Sequence, residues 1–334
     1  MMDFKKFYSL LLLCLWIGCS ETFELQQHEG YALGTSYHFK YAGSPEEFES
    51  IQKGIDSLFF EINHSLSTYL KTSDISKINK GDTTIVVDHH FKKVFAKSEA
   101  IWCSTDGSFD PTLGQLVNLY GFGPEKPLNT IDSLTLQKIL TSVGWEKIKL
   151  TAKGKIIKHP STYLDFNAIA KGYAVDKISE FLSAKGFPRH MVEIGGELKA
   201  LGVNDRNTPW LIAIEQPELL ERSIFRTLPV RDLGLATSGD YRNYREVAGK
   251  RYSHIIDPRL GRPISHALAS VTVLHESTAT ADALATALNV MTSDEGMAYA
   301  IEQSLAVLFI IKDDAGFIER RSPALDAYLG QYND

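Results

Sequence analysis

Cysteine is scarce in this chain, with three among 334 residues. Cys14 and Cys19 fall in the first twenty positions, which leaves Cys103 no partner for an internal disulfide. The stretch around it, SEAIWCSTDG, holds no His or basic residue to activate a thiolate. Cys103 is therefore expected on the apolar face of a helix, as core packing. There is no Lys/Arg-rich run and the net charge is −6, which argues against nucleic acid as a main partner. Internal repeats, low-complexity blocks and Pro/Ser-rich linkers are also missing. What remains is ordinary for a globular protein: 44% apolar and 23% charged residues, in a length that can bury a large core.

The N-terminus departs from that pattern. MMDFKKFYSLLLLCLWIGCS places Lys5 and Lys6 before an apolar run from Leu10 to Ile17, too short to span a bilayer but suited to a secretory h-region. Gly18-Cys19 then resembles a bacterial lipobox, although Trp16 stands where Leu is usual. The expectation is cleavage before Cys19 and lipidation of its thiol; an ordinary signal peptide that happens to contain a cysteine is the alternative. The expected division is a signal over 1–18, a linker over 19–30 and a single domain over 31–334. The lipid would hold the protein to the bacterial cell envelope, facing the periplasm, without a membrane-spanning helix.

Helical and strand patterns alternate irregularly, which favours an α+β fold over a doubly wound parallel sheet. Ser44-Pro45-Glu46-Glu47 opens a helix running to about His64, and further helices are expected at 88–105, 132–142, 169–184, 278–291 and 294–303. Strands fit 31–41, 191–202, 210–215, 268–275, 305–312 and 316–321, the last two joined by Asp313-Asp314-Ala315-Gly316.

Several stretches combine glycine, small residues and isolated polar groups. Gly34-Thr35-Ser36 reads as a bulge or turn entering a strand. In FDPTLGQLVNLYGFGP (109–124), Asp110-Pro111-Thr112 looks like a helix start, and an aromatic between two glycines is either a turn or a surface for a flat ligand. In LDFNAIAKGYAVD (164–176), Asp165 and Asn167 are natural caps for a helix starting near Ala168, with Lys171 and Gly172 in its first turns. A glycine inside a helix costs about 1 kcal/mol relative to alanine. Either close packing on a neighbour or a phosphate at the helix N-terminus accounts for it. EIGGELKALG (193–202) interrupts a strand with paired glycines, by default a bulge. LATSGDYRNY contains a turn at Ser238-Gly239-Asp240, and KRYSHIIDPRLGRPI places His254 just before a turn-rich loop.

One helix has a single charge. In STATADALATALNVMT (277–292), Ala281, Leu284, Ala285 and Leu288 form an apolar face, while Asp282, Thr286 and Asn289 share another, flanked by Ala279, Ala283 and Val290. A solvated face would carry Lys, Glu or Arg, so something is expected to pack there. Asp282 at i and Thr286 at i+4 suit a hard cation such as Mg²⁺. Two plainer accounts stand beside that one: a first-turn acid on the helix dipole, and a threonine bonded back to the carbonyl of residue 282.

Together and in this order, GTSYH, LSTYLKTSDISKIN, FDPTLGQLVNLYGFGP, LDFNAIAKGYAVD, EIGGELKALG, ATSGDYRNY, YSHIIDPRLGRP and TADALATAL resemble the ApbE family of FAD:protein FMN transferases. The resemblance covers roughly residues 31 to 291 and implies an α+β fold of mixed, mostly antiparallel sheets with packed helices, related to T-fold proteins. It also implies an FAD site, a Mg²⁺ site, and transfer of FMN from FAD to a Thr or Ser of an exported protein through a phosphoester bond, with AMP released. The acceptors it implies are exported FMN-binding proteins such as subunits of Na⁺-translocating NADH:quinone oxidoreductase or Rnf-type electron transport complexes. By position, Asp282 and Thr286 match the family's metal-binding side chains, and Ala168 matches a backbone-carbonyl ligand. Leu33, Tyr69, Ser108, Phe109, Asp110, Asp165, Lys171, His254 and Ile256 match FAD-contacting positions. His254 and Asp282 are the implied catalytic residues, His254 as candidate proton acceptor.

Departures from the family pattern are small. Asn167 and Ala168 stand where glycines are frequent, Tyr120 where Trp is usual and Leu260 where Thr is frequent. None removes a ligand oxygen. Two rival functions share the same residues: an FAD pyrophosphatase, which would release free FMN and AMP without an acceptor, and a lipid-anchored flavin-binding protein without turnover, whose FAD binding would ignore EDTA.

Overall fold

A computed structural model describes residues 25–127, 131–218, 223–239, 244–247, 250–314 and 316–332. The expected signal, the lipidation candidate Cys19, Asp240 of the expected Ser238-Gly239-Asp240 turn and Ala315 of the expected 313–316 turn lie outside the described residues. The expected strand 31–41 is in fact a hairpin. Leu25–Ala32 (β1) and Thr35–Ala42 (β2) pair antiparallel across Leu33 and Gly34, whose φ values are +51° and +80°. Two consecutive left-handed residues match the twist of the flanking strands, so the chain reverses there instead of bulging. The expected strand 191–202 divides in the same way. His190–Ile194 (β3) and Glu197–Leu201 (β4) flank Gly195 and Gly196, at φ +61° and +103°.

With Leu233–Gly239 (β5), Leu268–His275 (β6), Ala306–Asp313 (β7) and Gly316–Arg321 (β8), these strands form an eight-stranded sheet. Its spatial order is its chain order, and every neighbouring pair is antiparallel. The α+β expectation holds.

Four long helices cover one face: Phe48–Leu66 (α1), His89–Ser104 (α2), Asn167–Ala184 (α3) and Thr278–Val290 (α4). Alternation along the strands makes the second core. In β7, Val307 and Phe309 join the helices, while Leu308 and Ile310 face a layer built by Trp210, Ile214, Leu228, Val230 and the short helix Pro323–Gly330. The expected helices are found within about two residues of their bounds, except that the first begins as a single 3-10 turn at Pro45–Glu47. Among the described residues no helix is long and apolar enough to cross a membrane.

Two local expectations fail. Cys103 is exposed: the buried face of α2 runs through Phe91, Val94, Phe95, Ser98 and Ile101, and a residue two positions after Ile101 is rotated by about 200° to the outside. The helix expected at Asp110-Pro111-Thr112 starts at Gly114, because Asp110 Oδ1 instead accepts hydrogen bonds from the Thr112 N–H (2.8 Å) and hydroxyl (2.6 Å) in a tight turn. That helix, Gly114–Tyr120, packs with Ser133–Leu140 and Ile256 as a small separate cluster.

Candidate active site

Between this small cluster, the helix layer and the turns after β1 and β3 lies a cavity of about 1040 Å³. Leu33, Tyr69, Ser108, Phe109, Asp110, Asp165, Ala168, Lys171, His254, Ile256, Asp282 and Thr286 all line it, so the metal and FAD positions that the family resemblance implies within the fold face one space. Each arrives on a separate device. Leu33 sits in the β1–β2 turn, and Tyr69 follows α1, its hydroxyl donating to the Phe122 carbonyl at 2.9 Å. The turn after α2 supplies Ser108, Phe109 and Asp110, and is tied to the segment before α3 by the Asp165 N–H donating to the Pro111 carbonyl at 2.8 Å. His254 and Ile256 lead into the DPRLGRP loop, which Tyr120 holds by donating from its hydroxyl to the Gly261 carbonyl at 3.0 Å. The His254 ring lies edge-on to Phe122, 6.2 Å between centroids.

The deepest part is made where α3 crosses α4. Gly172 is required there: a Cβ at that position would lie 2.5 Å from the Thr278 carbonyl oxygen and 2.8 Å from Asp282 Cβ. Close approach lets the Gly172 N–H donate to Asp282 Oδ2 at 3.0 Å. One turn further along α3, Asp176 accepts from the Ser277 hydroxyl (2.8 Å) and from the N–H groups of Thr278 (2.9 Å) and Ala279 (3.1 Å), capping the start of α4 from another helix. Helix α4 is buried around nearly its whole circumference, Thr286 being among its few half-exposed positions. The alanines beside Asp282 are thus covered chiefly by protein, and the absence of lysines follows from that burial. The start of α3 also differs in detail from expectation. The helix begins at Asn167, and Asp165 Oδ1 accepts from the Asn167 N–H at 2.8 Å.

The charged groups of the cavity are unbalanced. Among the described residues Asp110, Asp165, Glu197 and Asp282 face it with one lysine, Lys171. Burial raises the carboxyls of Asp110, Asp165 and Asp282, against the lowering pull of Thr112, of the Asn167 N–H and of Lys171 respectively. Glu197 was not singled out in the sequence, although a lone acid directly after paired glycines was a usable signal. It is 5% exposed, and its Oε1 lies 3.4 Å from Lys171 Nζ. Burial pushes its carboxyl up to about 8, with Lys171 pulling it down and the Asp282 charge adding to the rise. Burial alone would lower Lys171, but Asp282 and Glu197 outweigh it and hold the ammonium well above the usual lysine range. Lys171 Nζ is 4.0 Å from Asp282 Oδ2.

Among the described residues no three His, Cys, Asp or Glu side chains are grouped as a metal-binding set. The candidate donors for a hard cation are the Asp282 carboxylate, the Thr286 hydroxyl and the Ala168 carbonyl. The Thr286 hydroxyl does not bond back along the helix, which removes the plainer account of that residue. Its oxygen and the acidic surroundings fit an ion that prefers few protein oxygens and completes its shell with water or phosphate.

The sequence profile of the ApbE family matches residues 33–309. The chain belongs to the ApbE family. It is 41% identical over 330 residues to the FAD:protein FMN transferase of Vibrio cholerae serotype O1, covering 97% of each chain. To the enzyme of the same name from Haemophilus influenzae it is 38% identical over 318 residues, covering 92% of each. The fold superimposes on the flavin transferase ApbE structure from Vibrio cholerae with a TM-score of 0.83 at 38% identity, covering 91% of this chain and 99% of that one. The ApbE protein of Thermotoga maritima, at 26% identity and TM-score 0.81, shares the fold over 91% of this chain and 99% of its own. Antiparallel sheet and helix layer are thus the ApbE architecture.

Proposed function

We infer that this protein transfers FMN from FAD to another protein, and we propose a Thr or Ser hydroxyl of an exported flavoprotein as acceptor, with a phosphoester formed and AMP released. The observation that carries the reading is the charge of the cavity. Among the described residues four acidic side chains and one lysine line a space large enough for a dinucleotide, and a pyrophosphate entering beside those acids calls for a cation. Mg²⁺ held by Asp282, Thr286 and the Ala168 carbonyl would neutralise the phosphates and the charge that develops on the leaving AMP oxygen. Lys171 adds the protein's own positive charge beside them. The Gly172 N–H and the capped α4 keep Asp282 in place, so that little reorganisation accompanies the reaction.

The aromatic and apolar wall formed by Leu33, Phe109 and Ile256, with Tyr69 at its exposed edge, suits the flat rings of FAD. His254, on the loop at the cavity wall, is the proposed acceptor of the hydroxyl proton. The acceptor oxygen must stand in line with the flavin-side phosphorus, which makes positioning as important as proton transfer. The envelope lipoprotein reading adds that the acceptor is met outside the cytoplasm, and subunits of Na⁺-translocating NADH:quinone oxidoreductase or Rnf-type complexes are proposed candidates.

The test is incubation with FAD, Mg²⁺ and an exported FMN-binding acceptor domain, followed by a denaturing gel. A fluorescent acceptor band is expected, lost with EDTA. An unlabelled acceptor with FAD left intact would overturn the reading, and FMN plus AMP released without acceptor would replace it by a pyrophosphatase.

A further inference from the structure

We propose that Glu197 is a positioning residue for this reaction: it holds the Lys171 ammonium from behind, so that the lysine stays aimed at the FAD phosphates when a divalent cation occupies Asp282. The inference rests on the flavin-transferase reading above. Lys171 stands between two carboxylates, 3.4 Å from Glu197 Oε1 and 4.0 Å from Asp282 Oδ2. Asp282 shares a helix face with Thr286 and is the side that a cation would take. A cation there repels the ammonium, and with Asp282 as its only carboxylate within 4 Å, Lys171 would keep just the neutral Asn167 carbonyl, at 3.4 Å, and could be driven out of place.

Glu197 answers that need and little else. Its Oε2 is sealed from solvent without a hydrogen-bond partner, so that oxygen cannot meet substrate, and an unpartnered buried carboxylate oxygen costs stability. Folding alone therefore does not account for an acid at this place. The residue is also held rigidly. It opens β4 directly after the Gly195–Gly196 turn, paired in register with Ile194, whereas Lys171 is carried on α3. A strand thus fixes the carboxyl that faces a lysine on a neighbouring helix, and a cation offsetting the Asp282 charge would favour its ionised form.

The experiment is an equilibrium titration of the full chain with FAD, read by flavin fluorescence, in Mg²⁺ and in EDTA. Glu197→Gln, Lys171→Gln and the double variant form a cycle, with riboflavin as the probe that lacks phosphates. In Mg²⁺ each single variant should weaken FAD by about tenfold. The double variant should bind no more weakly than Lys171→Gln alone, because Glu197 acts through the lysine. Riboflavin affinity should stay unchanged in all three. Normal FAD binding by Glu197→Gln, a double variant that loses the product of the two effects, or a parallel loss of riboflavin binding would each overturn the inference. If wild type labels the acceptor while Glu197→Gln binds FAD normally, the positioning role falls and the transferase reading stands. Melting curves check folding, and Glu197→Met replaces the glutamine variant if that one does not fold.

Discussion

At the scale of single residues, the cavity trades stability for charge. Asp282 is 5% exposed and is held by one backbone N–H and a lysine 4.0 Å away, a sparse set of partners for a buried acid. Asp282→Asn should abolish metal-dependent FMN transfer, by more than the roughly 10–100-fold that loss of a ligand's supporting partner costs. The same variant should melt no lower than wild type in EDTA, since it removes a buried charge. A variant that transfers FMN normally would remove Asp282 from the proposed cation site. Glu197 gives a pH dependence whose sign is fixed. Its carboxyl rises from 4.5 to about 8 on folding, so the folded chain holds this proton more tightly than the unfolded chain. The resulting stability is complete below the unfolded value and is lost as pH rises towards the folded value. In EDTA, wild type should therefore lose on the order of 3 kcal/mol between about pH 5 and 8 relative to Glu197→Gln. Chemical denaturation at several pH values measures it, and parallel curves for the two proteins would show that Glu197 titrates normally.

At the scale of elements, the site is the crossing of α3 and α4, and Gly172 sets its distance. Alanine is the better helix former by about 1 kcal/mol, but here its Cβ would meet a backbone oxygen at 2.5 Å, an atom that cannot swing aside. Overpacking of this kind costs about 1–3 kcal/mol, so the clash should outweigh the propensity gain. Gly172→Ala is expected to lower the urea midpoint and to slow transfer as the N–H to Asp282 bond lengthens; a more stable, fully active variant would show that the helices separate freely. This crossing also marks what was legible in the sequence. Periodicity located α4 and put Asp282 and Thr286 on one face, because both follow from 100° per residue. It did not show that α4 is enclosed by protein on nearly every side, which depends on α3 and on β5 and β6, distant in sequence. Paired glycines in EIGGE signalled a backbone event without distinguishing a bulge from a hairpin turn, and Glu197 became visible only when that turn carried it to Lys171. Cys103 was misplaced by angle, two residues past the last buried position of α2.

At the scale of the whole molecule, the order of the sheet bears on how the site meets its acceptor. β1 is an edge strand, and its C-terminal end leads directly into the Leu33 turn at the cavity. Its eight residues span about 26 Å, so the chain enters the fold at the strand end remote from that turn. Cys19, the proposed lipidation site, precedes Leu25 by six positions, which add at most about 20 Å of chain. An anchor at Cys19 would therefore tether the domain without requiring the cavity to touch the membrane, and would leave it open to an acceptor held at the same membrane. Two outcomes follow for Cys19→Ala. The variant should leave the membrane fraction, and its FMN transfer to a soluble acceptor domain in solution should match wild type. Acceptors embedded in the membrane should be labelled more slowly, because the proposed tether would raise their effective concentration around the site. A variant that still fractionates with membranes would place the anchor elsewhere. Equal labelling of embedded and soluble acceptors by the released protein would show that the tether sets the protein's location and not its encounter rate.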